Sequence, residues 1–273
     1  MTDKLFDVSG TVAVVTGGLG QLGAQYAKAF LERGGRVVIF DVHDDREKAR
    51  GRLGAWVDDE RLLLCAVDVT DRASIEGALA AAEARFGTPD VLINNAGIDT
   101  PPDVPAALEV GPFETYPADS WDRVMAVNVK GVFLCCQVVG GAMAKAGRGS
   151  IINVSSIYGV VSPDQNIYEY RRQRGEVFFK PVAYSASKSA LINLTHYLAT
   201  YWARQGVRVN TLVIAGVFAN QDPGFLAAYE GRIPIGRMAN EDEYCGAVLF
   251  LASPASTYMT GASLVVDGGW TAI

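Results

Sequence analysis

Val14–Phe30 reads VVTGGLGQLGAQYAKAF. A short β-branched run ends in glycines at 17, 18, 20 and 23, and an Ala-rich segment with helical spacing follows at once. Glycines let backbone approach a pyrophosphate, and a helix that starts there offers N–H groups and the positive end of its dipole. The strict G-x-G-x-x-G pattern is met once, by Gly18, Gly20 and Gly23. A tight strand-to-helix turn with no ligand would use the same glycines. The stretch therefore sets the fold class, strand–turn–helix with a parallel sheet, before it sets the ligand.

The rest of the chain repeats the alternation. Short apolar runs at Thr11–Gly17, Arg36–Asp41, Arg61–Asp68, Pro89–Gly97, Ser150–Ser156, Val207–Gly216 and Ser263–Gly269 read as seven strands. Most are continuously apolar, as strands buried on both faces should be. Helical patterns fill the gaps at Gln21–Arg33, Arg72–Phe86, Ser120–Ala146, Tyr184–Arg204 and Glu241–Ala252. The expectation is an α/β fold: one Rossmann-like, doubly wound sheet of about seven parallel strands, with helices on both faces. No repeat or low-complexity linker divides the 273 residues, so 1–273 is read as one dinucleotide-binding and catalytic domain. The segments 159–182 and 217–240, and the Pro-rich Asp99–Ala118, leave the carboxyl ends of strands. There a doubly wound sheet binds ligands, so they are read as substrate-covering loops, with inter-subunit contact as the alternative.

Composition narrows the partners. The chain is 49% hydrophobic and 20% charged, which supports a large core. A net charge of −6 argues against nucleic acid or an anionic membrane surface as the main partner. No apolar run approaches the roughly 20 residues of a bilayer span, and MTDKLFDVSG carries no signal-like apolar core. Cys65, Cys135, Cys136 and Cys245 have no metal-ligand spacing. They read as reduced core thiols, with no metal site and a cytoplasmic location.

Asp41 ends the second strand, 18 residues after Gly23. A carboxylate there can accept from an adenosine ribose and repels a 2′-phosphate, favouring NAD over NADP; it could equally cap the helix of DDREKARGRL. Asp68, in VDVTD, could meet the adenine edge or cap the next helix. Tyr184 and Lys188 in YSASK are one helical turn apart. An ammonium near a phenol favours the phenolate and lowers its pKa, which would suit the phenol for proton exchange with an alcohol. Ser155 and Ser156 end the fifth strand. Asn128 sits inside a long helix, where asparagine needs a partner.

Together, the glycine turn, NNAG (Asn94–Gly97), Asn128 in NVKG, Ser156 in NVSSIYG, YSASK and TGASLVVDGG identify a sequence that resembles the short-chain dehydrogenase/reductases over essentially its whole length. The resemblance implies that Tyr184 is the general acid/base and that Ser156 orients the substrate oxygen. It implies that Lys188 lowers the Tyr184 pKa and holds the nicotinamide ribose, and that Asn128 holds a relay water. The implied cofactor contacts are Gly17, Gly20, Gln21, Leu22, Asp41, Asp68, Val69, Asn95, Ala96, Gly97, Tyr184, Lys188, Gly216 and Val217. It also implies a homodimer or homotetramer through the Ser120–Ala146 and Tyr184–Arg204 helices.

Three departures from the family pattern stand out. Gln21 replaces the middle glycine of T-G-x-x-x-G-x-G. Ile214 and Ala215 stand where Pro-Gly is usual. NIYEYRRQRGEVFFK lengthens the Ser156–Tyr184 interval. The function expected is NAD(P)-dependent interconversion of a secondary alcohol and a ketone. The acidic and tyrosine-rich loop residues Asp103, Glu109, Glu114, Tyr116, Tyr168, Glu169 and Tyr170 point to a sugar, polyol or sugar nucleotide. Arg171, Arg172 and Arg174 either face a phosphate or belong to a solvated loop. The alternatives are a 3-oxoacyl-thioester reductase, a sugar-nucleotide epimerase or dehydratase that retains its cofactor, and a catalytically silent NAD-binding scaffold subunit.

Overall fold

The structure, a computed structural model, describes residues 4–102 and 110–273. Seven strands form one sheet: β1 (Val12–Thr16), β2 (Arg36–Asp41), β3 (Leu62–Ala66), β4 (Val91–Asn94), β5 (Gly149–Ser156), β6 (Val207–Ile214) and β7 (Ser263–Val266). Their order is β3-β2-β1-β4-β5-β6-β7 and every pairing is parallel. The order reverses between β1 and β4, and a crevice opens at such a switch point.

The side-chain period of two sorts each strand between the two faces. Ala13, Val15, Val37 and Ile39 pack with α1 (Gln21–Leu31), α2 (Arg46–Leu53) and the C-terminal helix Cys245–Ala252. Val12, Val14, Val38 and Phe40 pack on the other face, with α3 (Arg72–Phe86), α4 (Ala118–Ala146) and α5 (Val182–Trp202). A third apolar cluster joins Ile157, Tyr158, Ile167, Tyr168 and Phe178 to Phe225, Tyr229, Ile233 and Met238. It roofs the carboxyl ends of β5 and β6 and is built from the two segments expected to cover a substrate. A buried polar chain crosses the sheet: the Asn94 amide donates to Asn153 Oδ1 (2.8 Å), the Asn153 amide to Thr195 Oγ1 (2.9 Å), and the Thr211 hydroxyl to Thr195 Oγ1 (2.8 Å). It fixes β4, β5, β6 and α5 in one register.

Two expectations change. The helical pattern in DDREKARGRL is a real element, α2, and Asp45, not Asp41, caps it by accepting from the N–H groups of Glu47 and Lys48. Asp71, not Asp68, caps α3. The helix Ala118–Ala146 is also apolar enough to cross a membrane by length and composition, with an 18-residue window of mean hydropathy 1.6. Isolated polar residues do not break that average. In the fold 56% of that window is buried, and the helix lies against the sheet as a core element. It passes through π-helical turns at Ala126–Gly131 and Cys136–Gly140, the first of which carries Asn128.

The glycine turn tolerates no side chains at its tightest points. Gly17 adopts φ +62°, and a Cβ on Gly23 would lie 2.3 Å from the Gly17 carbonyl oxygen. Backbone cannot move aside as a flexible side chain can. Gly23→Ala is therefore expected to lower stability by about 1–3 kcal/mol, read as a lower urea midpoint. An unchanged midpoint would contradict this packing.

Candidate functional site

Two cavities meet at the carboxyl edge of the sheet. The larger, about 710 Å³, runs along the switch point and is lined by Gly17, Leu19, Gly20, Gln21, Leu22, Asp41, Asp68, Val69, Asn95, Ala96, Gly97 and Val217, among others. Of the sequence-predicted cofactor contacts, only Gly216, Tyr184 and Lys188 are not in its wall. Gly216 and Tyr184 line the second cavity, of about 340 Å³, with Ser156, Tyr158, Tyr168, Asp99 and Lys180. Gln21, Leu22, Asp99 and Val217 belong to both walls, so the cavities open into each other there.

The larger cavity fits a dinucleotide. Gly20 is the N-cap of α1 and brings no side chain to the first-turn N–H groups, which leaves the positive helix end open to an anion. Asn95 ties the turn to β4: its amide donates to the carbonyls of Thr16 (3.1 Å) and Gly17 (3.3 Å), and Thr16 Oγ1 accepts from Asn95 N (3.0 Å) and Ala96 N (2.9 Å). Gln21 occupies the first residue of α1, and its amide donates to the Phe218 carbonyl (3.0 Å). The missing glycine is thus used to tether the turn to the segment after β6. At the far end, Asp41 accepts from Leu19 N (3.0 Å) and His43 N (3.2 Å). His43, Lys48 and Arg52 share that wall; the basic pair four residues apart on α2 was visible in DDREKARGRL but not used.

The catalytic candidates come together from three elements. Ser156 ends β5, and its hydroxyl accepts from Tyr158 N (3.2 Å). Tyr184 and Lys188 lie in the first turns of α5, with the ammonium 5.8 Å from the phenol ring centre. Lys188 is only 6% exposed and donates to the Val154 carbonyl (2.9 Å). Asn128 is fully buried: Oδ1 accepts from Ile98 N (2.8 Å), and the amide donates to the Ile98 carbonyl (3.0 Å) and to Ser187 Oγ (3.1 Å). Its side chain therefore staples the segment following β4 to α5. Ser155 binds backbone, donating to the Lys188 carbonyl (2.8 Å). A Cβ on Gly159 would strike that hydroxyl and carbonyl, at 2.5 and 2.8 Å, which is why glycine stands there. The lengthened Ser156–Tyr184 interval loops out, and both side chains still reach one cavity.

One electrostatic expectation is corrected. Lys188 does not bring the Tyr184 phenol below its ordinary value in this site. Burial pushes the phenol up, the Asp99 carboxylate pushes the same way, and only the Ser156 hydroxyl favours the phenolate. Burial also lowers Lys188, to about 8. Desolvation is the largest effect on both members of the pair, and it disfavours the charged form of each.

The substrate-side expectations fare unevenly. Tyr168 lines the cavity; Glu114, Tyr116, Glu169 and Tyr170 do not, and Asp103 and Glu109 lie outside the described residues. The three arginines neither face the cavity nor point freely into solvent. Arg171 pairs with Glu176 and stacks over Phe178 (4.7 Å), Arg172 pairs with Glu169 (2.7 Å), and Arg174 pairs with Asp222 (2.7 Å). They hold the 159–182 segment together and join it to the segment after β6. Sequence reading missed the ion pair of Asp99 with Lys180, which sits in the cavity wall.

The chain is similar to known proteins over nearly its whole length. A family model described as enoyl-(acyl carrier protein) reductase matches residues 18–271. The chain is 35% identical to a D-threitol dehydrogenase of Mycolicibacterium smegmatis, over 97% of this chain and 95% of that protein. It is 32% identical to an NAD-dependent glycerol dehydrogenase of Listeria innocua, over 98% and 97%. Among solved structures, a gluconate 5-dehydrogenase of Burkholderia cenocepacia in complex with NADP and tartrate superposes with a TM-score of 0.82 at 31% identity, covering 99% of this chain and 98% of that one.

The buried Lys188 makes a stability prediction. Between pH 8 and 10.5 the unfolded chain keeps this proton and the folded chain releases it, so folding is favoured as pH rises through that window. Relative to Lys188→Met, the wild type is expected to gain about 3 kcal/mol of unfolding free energy across it. Denaturant titrations of both proteins at several pH values measure the difference. A pH-independent difference would contradict the burial of this cation.

Proposed function

The chain belongs to the short-chain dehydrogenase/reductases, and from that premise we propose that it oxidises one secondary hydroxyl of a polyol or sugar to a ketone with NAD as hydride acceptor. It is an oxidoreductase acting on CH–OH groups. The observation that carries the reading is the junction of the two cavities: Ser156 and Tyr184 face the smaller one, beside the shared wall of Gln21, Leu22, Asp99 and Val217. A carbinol held there lies next to the cleft that would take the nicotinamide. When bound, the cofactor supplies the hydride acceptor or donor.

Each side chain then has a role. The Ser156 hydroxyl hydrogen-bonds the substrate oxygen and orients it. Tyr184 takes the hydroxyl proton as the carbinol is oxidised and returns it in the reverse direction. Burial favours the protonated phenol, the form that donates to a ketone; the oxidation direction runs through the phenolate, which the Ser156 hydroxyl favours and which the oxidised, cationic nicotinamide would favour further when bound. Lys188, anchored on the Val154 carbonyl, places a cation behind the phenol. Asn128 fixes the Ile98 backbone against α5 and so sets the distance between the two cavities. The polyol assignment draws support from the named activities of the threitol and glycerol dehydrogenases and from the polar side chains of Ser156, Asp99 and Lys180 in the cavity wall.

NAD is the proposed cofactor because Asp41 lines the adenosine end of the cleft. Lys48 and Arg52 on the same wall supply the competing chemistry, a cationic seat for a 2′-phosphate. We further place the enzyme in the cytoplasm, where four unpaired cysteines are stable. We assign it a homodimer or homotetramer, with the exposed, stacked Tyr197 and Tyr201 of α5 in the contact.

Two measurements check the proposal. Tyr184→Phe is expected to lose at least about a thousandfold in kcat while its affinity for NADH stays near wild type; wild-type turnover in the variant would remove Tyr184 from the mechanism. Fluorescence titration should show NADH binding at least about tenfold more tightly than NADPH. Equal or reversed affinities would give the adenosine end to Lys48 and Arg52.

A further inference from the structure

One ion pair in the smaller cavity has no part in the four-residue catalytic set. Lys180 donates to both carboxylate oxygens of Asp99 at 2.6 Å and to the Thr100 carbonyl at 3.1 Å. Those three bonds use all three ammonium protons. The partners are unequally exposed: the Lys180 side chain is 5% exposed and the Asp99 side chain 38%. A ligand entering the cavity therefore meets the carboxylate.

The carboxylate retains acceptor capacity. Asp99 Oδ1 also accepts from Thr100 N (2.8 Å), while Oδ2 has Lys180 as its hydrogen-bond donor. A carboxylate offers about four acceptor positions, so Oδ2 can take a hydroxyl. Its place in the cavity is fixed from the 159–182 segment: Lys180 N donates to Gln165 Oε1 (2.8 Å), and the Gln165 amide donates back to the Lys180 carbonyl (3.2 Å). Lys180 also lies 4.9 Å from the ring centre of Tyr184, so the pair is adjacent to the phenol that would meet the reacting hydroxyl.

We propose that Asp99, held and neutralised by Lys180, accepts a hydrogen bond from a second substrate hydroxyl on the carbon next to the reacting carbinol. The cavity thereby selects vicinal diols over simple alcohols. Lys180 acts through Asp99 as a positioning residue, and the long segment before α5 serves to deliver it. The assignment rests on the secondary-alcohol reading above and deepens it. A site built to pair with a hydroxyl discriminates against an analogue that lacks it, because the carboxylate oxygen that loses its water to the ligand then gains no hydroxyl in return.

The test compares butane-2,3-diol with butan-2-ol, which differ by one vicinal hydroxyl. Steady-state kcat/KM is measured with NAD for the wild type, Asp99→Ala, Lys180→Met and Lys180→Arg, alongside NADH titration of each. The wild type is expected to prefer the diol by roughly 100-fold. Asp99→Ala should reduce that ratio to a few-fold, mainly through a higher KM for the diol. Lys180→Met should do the same, and Lys180→Arg should recover part of the preference. An unchanged ratio in Asp99→Ala, or equal losses on both alcohols, would overturn the assignment. A wild type that oxidises both alcohols equally well overturns only the Asp99 role. A wild type that binds NADH but oxidises neither overturns the secondary-alcohol reading and this assignment with it.

Discussion

The site is organised around a buried ammonium. Lys188 is 6% exposed, bonds the Val154 carbonyl and has a pKa lowered by burial to about 8. A cation in such a place is costly unless the surroundings are built for it. Here they are. Ser155 grips the Lys188 carbonyl, Gly159 gives way to that carbonyl, and a Cβ on Gly97 would come within 3.5 Å of the ammonium. Strands β4 and β5 and helix α5 are packed to the spacing this one side chain demands. The buried chain of Asn94, Asn153, Thr195 and Thr211 holds the same elements in register from below.

From that anchor the two cavities take their positions. The glycine turn and the segment after β4 bound the dinucleotide cleft, tied by Asn95 and Thr16. The segments after β5 and β6 fold over the other cavity as an aromatic roof, with Tyr168 packed between Phe178 and Phe225. Gln21 joins the two systems through the Phe218 carbonyl. A change in the turn is thereby connected to the wall of the substrate cavity without passing through the sheet.

Much of this was legible in the sequence, for reasons of period and local chemistry. Continuous apolar runs such as RVVIFD gave the buried strands, and the observed β2 and α3 have the bounds expected. The predicted cofactor residues were found almost entirely in one cleft because their backbones follow the ends of strands, which the alternation already located. What stayed hidden depends on contacts between distant residues. Asp99 and Lys180 are 81 positions apart, and Gln21 and Phe218 are 197 apart. The arginines of the 159–182 segment could not be assigned because their carboxylate partners come from the segment itself and from Asp222. The direction of the Tyr184 shift was missed because helical spacing gives the Tyr–Lys separation but not the burial that outweighs it.

The central claim is that hydride passes directly between a carbinol carbon in the smaller cavity and the nicotinamide in the larger one. The most direct measurement is incubation of the enzyme with NAD and threitol deuterated at its carbinol carbons, followed by NMR of the reduced cofactor. The account predicts one deuterium at C4 of the nicotinamide, on a single face. Reduced cofactor without deuterium, or label appearing in water, would contradict it.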